Sequence, residues 1–245
     1  MFPIRRGNIL HGLRSSMRNA GLDCRRFPEP GDLEYHLRSL DVDVVIDVGA
    51  SQGEYGALLR TNGFTGQIIS FEPLFSAFAI LEYATHLDPM WKVFNCALGE
   101  TDTEVPIYVA KSSTFSSLLP ATDFLRKSAS GAEPVTSQIT TVRTLSKIWP
   151  SLNLDGLRIL LKIDTQGSEL KVLRGAEALL DRISMIQTEM SLAPLYEGQP
   201  PIEELLTFLR ERDFVLTDVI RGFGHAASGD LVEVDGIFKR AIAIR

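Results

Sequence analysis

Val42-Asp43-Val44-Val45-Ile46-Asp47-Val48-Gly49-Ala50-Ser51-Gln52-Gly53-Glu54 is the stretch that decides the fold. A short apolar run with acids near its ends reads as a buried strand. The glycines after it let the backbone turn tightly and approach a ligand closely. Glu54 to Asn62 then follows a helical pattern, and Gly63 ends it. The same alternation runs on through a strand over Gln67–Phe71, a helix over Leu74–His86 and a strand over Trp91–Cys96. It resumes with a strand over Leu157–Ile163, a helix over Glu169–Leu180, a strand over Ile183–Thr188 and a helix over Ile202–Arg212. Phe214–Val219 and Val234–Lys239 read as a closing antiparallel pair. Strands alternating with helices predict an α/β fold: a mostly parallel, seven-stranded sheet with helices on both faces.

Residues 99–158 are less regular. Val105–Val109 alternates like an exposed strand, and Ile139–Arg143 reads as another. Residues 111–137 are rich in Ser, Thr and Ala and read as a long functional loop. Within it, Ser112–Leu119 is placed to form part of an acceptor pocket or a lid. Residues 1–40 read as an N-terminal helical arm ahead of a domain over 41–245, with a short helix over Asp32–Leu40. Residues 1–30 hold Arg5, Arg6, Arg14, Arg18, Arg25 and Arg26 against Asp23 and Glu29. Such charge suits a solvated helix packed on the domain or on a second subunit, or an arm touching an anionic substrate or membrane surface.

The 245 residues are 44% hydrophobic and 23% charged, enough for one good core. The net charge of −6 argues against nucleic acid as the partner, because neutralising phosphates needs a basic surface. Two cysteines, Cys24 and Cys96, make neither a disulfide framework nor a zinc cluster. No apolar run approaches the ~20 residues that span a bilayer, and the N-terminus lacks a signal peptide's apolar run. A cytoplasmic protein, capable of forming a homo-oligomer, fits these features; the small-molecule or glycan acceptor expected for it comes from the motifs that follow.

The glycine turn narrows the cofactor. A phosphate-binding P-loop needs Gly-Lys-Ser/Thr, and Gly53 is followed by Glu54. A dinucleotide turn wants a second glycine where Ser51 stands, to make room for pyrophosphate. S-adenosylmethionine has no pyrophosphate and tolerates the looser pattern. Phe71-Glu72-Pro73 ends the second strand about 20 residues past the turn, where an acid accepts hydrogen bonds from ribose hydroxyls. Gly49-Ala50-Ser51-Gln52-Gly53 also matches the nucleophile elbow of serine hydrolases, with Asp164 and His225 following in hydrolase order. That reading leaves only about 43 residues for the earlier strands and oxyanion loop, and makes Glu72 a coincidence.

The third motif is Leu160-Leu161-Lys162-Ile163-Asp164-Thr165-Gln166-Gly167-Ser168-Glu169. Lys162 is a cation inside an apolar strand, so it needs a carboxylate partner or faces the site. Asp164 lies at the strand's carboxyl end, where ligand sites of open α/β sheets gather. Glu189 ends the next strand beside it. Two carboxylates there can act as a base, hold substrate hydroxyls or ligate a metal. No further metal ligand can be placed beside them.

Together Asp47-Val-Gly-Ala-Ser-Gln-Gly, Phe71-Glu-Pro, Ala97-Leu-Gly, Lys162-Ile-Asp-Thr-Gln-Gly-Ser-Glu-Leu, Leu173-Arg-Gly-Ala and Glu189 resemble the FkbM family of methyltransferases, from about Val44 to Lys239. The resemblance implies a Rossmann-like methyltransferase fold with S-adenosylmethionine as donor. It implies O-methylation of a hydroxyl on a sugar, glycolipid or polyketide-type natural product. It puts Asp47, Gly49, Ala50, Ser51, Gly53, Glu72, Pro73 and Ala97 at the cofactor. Asp164, Glu189 and Lys162 then carry catalysis, with Asp164 first as general base, Glu189 second and Lys162 orienting; His225 is an alternative base. The chain departs from the family's common pattern at Ser51 in place of Asn, at Gln166 in place of Glu and at Ser146 in place of Asp. Ser51 keeps a hydrogen-bonding side chain, whereas Gln166 removes a charge near the site. The other readings are an esterase using Ser51 and an S-adenosylmethionine-binding domain without catalysis.

Overall fold

The computed structural model describes residues 33–224 and 228–241. The chain divides into two units, Met1–Ser39 and Leu40–Arg245. In the first, helix α1 spans Leu33–Ser39. The expected arm before it lies outside the described residues, as does His225.

The second unit is built on the predicted alternation. Strands β1 (Val44–Val48), β2 (Gln67–Phe71) and β3 (Trp91–Phe94) are separated by helices α2 (Glu54–Thr61) and α3 (Phe75–Thr85). A short β4 (Ala97–Leu98) and a long antiparallel pair, β5 (Thr103–Ala110) and β6 (Pro134–Arg143), form a separate three-stranded sheet. Helices α4 (Asp123–Ser128) and α5 (Leu145–Leu152) flank β6 in sequence. Then come β7 (Ile159–Ile163), α6 (Glu169–Gly175), β8 (Met185–Ser191), α7 (Ile202–Arg210), β9 (Phe214–Arg221) and β10 (Glu233–Arg240). The main sheet has seven strands in the order β3-β2-β1-β7-β8-β10-β9. All neighbours are parallel except those of β10, which runs antiparallel to both β8 and β9.

Every residue of β1 and β7 is buried, as central parallel strands covered on both faces must be. Side chains alternate between the faces. Val44, Ile46 and Val48 join Ile159, Leu161 and Ile163 in one core with Leu145, Trp149, Leu170, Leu205 and Phe208 from α5, α6 and α7. Asp47, Ser70 and Lys162 fall on the opposite face, where Trp91 packs against α2 at Gly56. Cys96 is a buried thiol, and burial pushes it up to about 11. Among the described residues no helix is long and apolar enough to cross a membrane.

The expected loop over 111–137 is a folded wall instead. It holds a 3-10 turn at Ser113–Phe115 and helix α4, whose N-cap Thr122 accepts the Leu125 N–H. Ala121, Leu125, Ala129 and Ala132 make a small core of their own with Leu195, Tyr196 and Val232. Helix α5 was not expected. Pro150 interrupts its pattern, and Thr144 caps its start by accepting the Lys147 N–H. The helix expected over Glu169–Leu180 stops at Gly175 and continues as a 3-10 segment, Glu177–Arg182. A Cβ on Gly175 would sit 1.9 Å from the Gly99 carbonyl oxygen. The Ala97-Leu-Gly and Leu173-Arg-Gly-Ala motifs are therefore two sides of one backbone contact. Gly175→Ala should destabilise the protein by about 1–3 kcal/mol through overpacking, read as a lower urea midpoint. An unchanged midpoint would mean that this contact gives way freely.

Candidate active site

The strand ends are tied together by the backbone. Gly49 and Ala50 N–H both donate to the Phe71 carbonyl at 3.0 Å, and Asp164 N–H donates to the Val48 carbonyl at 3.0 Å. Gly49 has φ +80°, and a Cβ there would lie 1.8 Å from the Asp164 carbonyl oxygen. Only glycine lets β1 turn this close to the end of β7. Ser51 follows at φ +49° and donates its N–H to Glu72 Oε2 at 2.8 Å, while Leu74 N–H donates to Glu72 Oε1 at 2.7 Å. Burial pushes the Glu72 carboxyl up to about 7 against those two hydrogen bonds. Each of its oxygens keeps a lone pair for a further donor. Ser51 Oγ is buried with no hydrogen-bond partner among the described residues.

Below this turn a line of buried polar groups crosses one face of the sheet. Trp91 Nε1 donates to Ser70 Oγ at 3.0 Å, and Ser70 Oγ donates to Asp47 Oδ2 at 3.2 Å. Lys162 Nζ lies 3.3 Å from both Asp47 Oδ1 and Asp164 Oδ2, and 5.0 Å from the centre of the Tyr55 ring. Tyr55 OH donates to Gln187 Oε1 at 2.8 Å, and Gln187 Nε2 donates to Asp235 Oδ2 at 3.0 Å. Strand register sets the order, since Asp47 is opposite both Ser70 and Lys162, and Lys162 is opposite Gln187. Burial raises the Asp47 carboxyl despite Lys162. Burial also works against the Lys162 charge, but Asp164 and Asp47 outweigh it and hold the ammonium above its ordinary value.

Acidic groups gather where β7, β8 and β10 meet. The Gln166 amide donates to Asp164 Oδ1 at 2.9 Å and to Glu189 Oε2 at 2.7 Å, and its oxygen accepts from Tyr196 OH at 2.6 Å. Ser191 Oγ donates to Glu233 Oε1 at 3.1 Å. Glu169 holds the loop beneath by accepting Thr165 N–H, Thr165 Oγ and Gly167 N–H through one oxygen at 3.0–3.1 Å. Burial pushes Glu169 up to about 7. Burial and the charges of Asp164, Glu233 and Glu169 raise Glu189 well above the ordinary range.

These groups surround a cavity of about 340 Å³, within the size of small-molecule sites. Of the residues expected at the site, Gly49, Ser51, Glu72, Pro73, Ala97, Asp164 and Glu189 line it. Asp47, Ala50, Gly53 and Lys162 do not. Asp47 and Lys162 lie beneath it and hold its floor, and Gly53 opens α2. The segment expected at the acceptor forms a wall from Ser113 to Leu118. Phe223 and Glu233 also line the cavity and were not foreseen. Glu233 is separated from the motifs by more than forty residues of chain, and only antiparallel pairing with β8 brings it in. Ser51 Oγ lacks the hydrogen-bonded base a serine nucleophile requires among the described residues. Among those residues no three acidic, histidine or cysteine side chains form a group able to hold a metal ion.

A family model for the methyltransferase FkbM domain matches residues 47–216. No curated protein matches the chain by sequence. Among solved structures, WbdD with a bound kinase inhibitor superposes with a TM-score of 0.50 at 12% identity, over 91% of this chain and 43% of its own. An uncharacterized protein from Listeria monocytogenes serotype 4b gives 0.46 at 9%, over 85% and 67%. The ribosomal protein L11 methylase of Lactobacillus delbrueckii gives 0.42 at 10%, over 83% and 76%.

Two predictions follow the charges. Lys162→Met strands Asp47 without its cation and should cost about 3–5 kcal/mol, whereas Lys162→Met with Asp47→Asn should recover much of it. A loss in the double variant equal to the sum of the two single losses would mean that the pair is not coupled. The second concerns Glu72 and Glu169, both raised to about 7. The folded state keeps their protons where the unfolded chain, near 4.3, has lost them. Their contribution is therefore complete below pH 4 and lost as pH rises through 7. Urea stability should fall from pH 5 to pH 7.5, and Glu169→Gln should flatten that slope. An equal slope in the variant would remove Glu169 from the account.

Proposed function

Because the chain belongs to the FkbM methyltransferase family, we propose that it moves a methyl group from S-adenosylmethionine to a hydroxyl of an uncharged, hydroxyl-rich acceptor, such as a sugar, glycolipid or polyketide-type natural product. One observation carries the acceptor class. Among the described residues lining the cavity there are four carboxylates, five serine and threonine residues outside the glycine turn, and two phenylalanines, but no Lys, Arg or His. Such a wall repels phosphate and carboxylate groups, for which recognition needs guanidinium or ammonium donors. Hydroxyl groups find acceptors in the carboxylates and partners in Ser113, Thr114 and Ser117.

The residues present fit the methyl donor. Glu72 has lone pairs free for ribose hydroxyls. Ser51 Oγ is a buried polar atom awaiting a partner. Gly49 keeps the turn bare of side chain. Bound there, S-adenosylmethionine supplies a methyl group on a sulfonium, so the protein's task is to align an acceptor oxygen with it and remove a proton. In this reading Asp164 holds the acceptor hydroxyl, Lys162 positions Asp164, and Asp164 and Glu189 are the candidates to receive the proton. A general base contributes roughly 10²–10⁴-fold.

Calorimetric titration with S-adenosylmethionine and, separately, NAD should give saturable binding of the first alone. Release of S-adenosylhomocysteine should then follow addition of neutral glycosides and not of sugar phosphates; preference for the phosphates would overturn the acceptor class. Glu72→Ala should weaken donor binding by at least about tenfold through two lost ribose hydrogen bonds. Asp164→Asn should keep donor binding and lose turnover. Binding without turnover on any acceptor would favour a non-catalytic domain.

A further inference from the structure

Glu233 was foreseen by no motif, yet it faces the same cavity as Glu189. On the antiparallel pair β8 and β10, Glu189 is opposite Asp235 and Glu233 is opposite Ser191. Glu189 and Glu233 are thus diagonal neighbours on one face, within reach of each other's long side chains. Their far sides are already held. Gln166 Nε2 donates to Glu189 Oε2 and Ser191 Oγ donates to Glu233 Oε1. The two carboxyls reach the same cavity from these adjacent strands.

We propose that Glu189 and Glu233 form a carboxyl pair sharing a single proton, in which Glu189 is the general base and Glu233 the positioning residue that makes it basic. The proposal rests on the hydroxyl-methylating reading above. The choice over Asp164 is one of charge, since Asp164 Oδ2 is ion-paired with Lys162 Nζ at 3.3 Å, whereas Glu189 has no cationic partner among the described residues. In the reactive form neither glutamate carries a proton. As the acceptor oxygen bonds to the methyl carbon, the O–H electron pair stays on oxygen and the proton passes to Glu189. The pair is left with one proton shared between two carboxylates, and it returns that proton to water.

Like charges this close cannot both ionise at their ordinary values. Groups facing the pair act in the same sense. Burial, Asp164 and Glu169 raise Glu189, and burial, Asp164 and Asp235 raise Glu233, while Ser191 favours the Glu233 anion. Lys162 is committed to Asp47 and Asp164. Tyr196 is held neutral by burial and the surrounding acids. The pair therefore titrates in two steps that belong to both residues. The upper step sets the pH above which the base is available.

The test is carboxyl-carbon NMR on the full chain carrying isotope-labelled glutamate, assigned with Glu189→Gln and Glu233→Gln. The pair predicts two coupled steps, the upper one far above the ordinary value near 4.3. In Glu233→Gln the remaining Glu189 step should fall by about one pH unit or more, because a like charge is gone. Ser191→Ala, which leaves both carboxyls in place, should raise the lower step. Independent titrations, or a Glu189 step indifferent to Glu233→Gln, would overturn the pair. With a neutral glycoside that turns over, the rate should rise with pH along the upper step, and Glu233→Gln should shift that limb downward. Glu189→Gln should lose roughly 10²–10⁴-fold, and a loss within about threefold would overturn the base assignment. Donor binding with no glycoside turned over would count against the acceptor reading, and the NMR would still decide whether the proton is shared.

Discussion

The ammonium of Lys162, buried between Asp47 and Asp164, is the interaction on which the rest of the structure depends. A cation in the centre of a parallel sheet costs several kcal/mol in lost hydration unless anions surround it. Here it meets one carboxylate from the neighbouring strand and one from the end of its own. The first, Asp47, is fully buried and is held in turn by Ser70. The second, Asp164, reaches the cavity. The sheet's register is therefore also the register of the site. Sliding β7 against β1 by one residue would place Lys162 on the apolar face and leave Asp47 buried without a countercharge.

Charge is then distributed unevenly. One lysine faces two aspartates; Glu72, Glu189 and Glu233 line the cavity with no cation among the described lining residues, and Glu169 lies under the loop beside it. The protein tolerates this surplus in two ways. Backbone N–H groups are aimed at Glu72 and Glu169, and protons are retained where the carboxyls are raised. With four acids and no cation among its described lining residues, the cavity suits a donor that arrives with a positive sulfur.

How much of this was legible in the sequence depended on the distance between the residues concerned. The main sheet could be read because each strand, turn and helix is a local pattern; β2 has the expected bounds, and the closing β9–β10 pair is antiparallel as expected. Glu72 and Asp164 could be placed at the cavity because each directly follows a strand's carboxyl end, and Glu189 because it lies near the carboxyl end of β8. The wall from Ser113 to Leu118 was legible as a location but not as a structure. Its folding relies on a bridge between Ala121 and Tyr196, far along the chain, and on a small Ala- and Leu-based core without periodicity. Glu233 was hidden because it begins its strand and carries no motif. Asp47 was read as a cofactor contact because it opens the glycine motif. Strand alternation turns it away from the turn and onto Lys162.

Gln166 shows how one departure from a family pattern follows from the surrounding charge. It sits at φ +56°, in a loop gripped by Glu169, with its amide between Asp164 and Glu189. An amide offers two N–H donors and one oxygen, and all three are used, the oxygen by Tyr196 OH. A glutamate at this position could donate nothing to either acid and would add a further negative charge among groups already raised by their neighbours. Loss of a charge at 166 does not weaken the acidic cluster. It lets Asp164 and Glu189 stand beside each other with each lone pair facing the amide satisfied. Asp164 and Glu189 also line the cavity, so Gln166 bridges the two carboxylates there without adding a third charge.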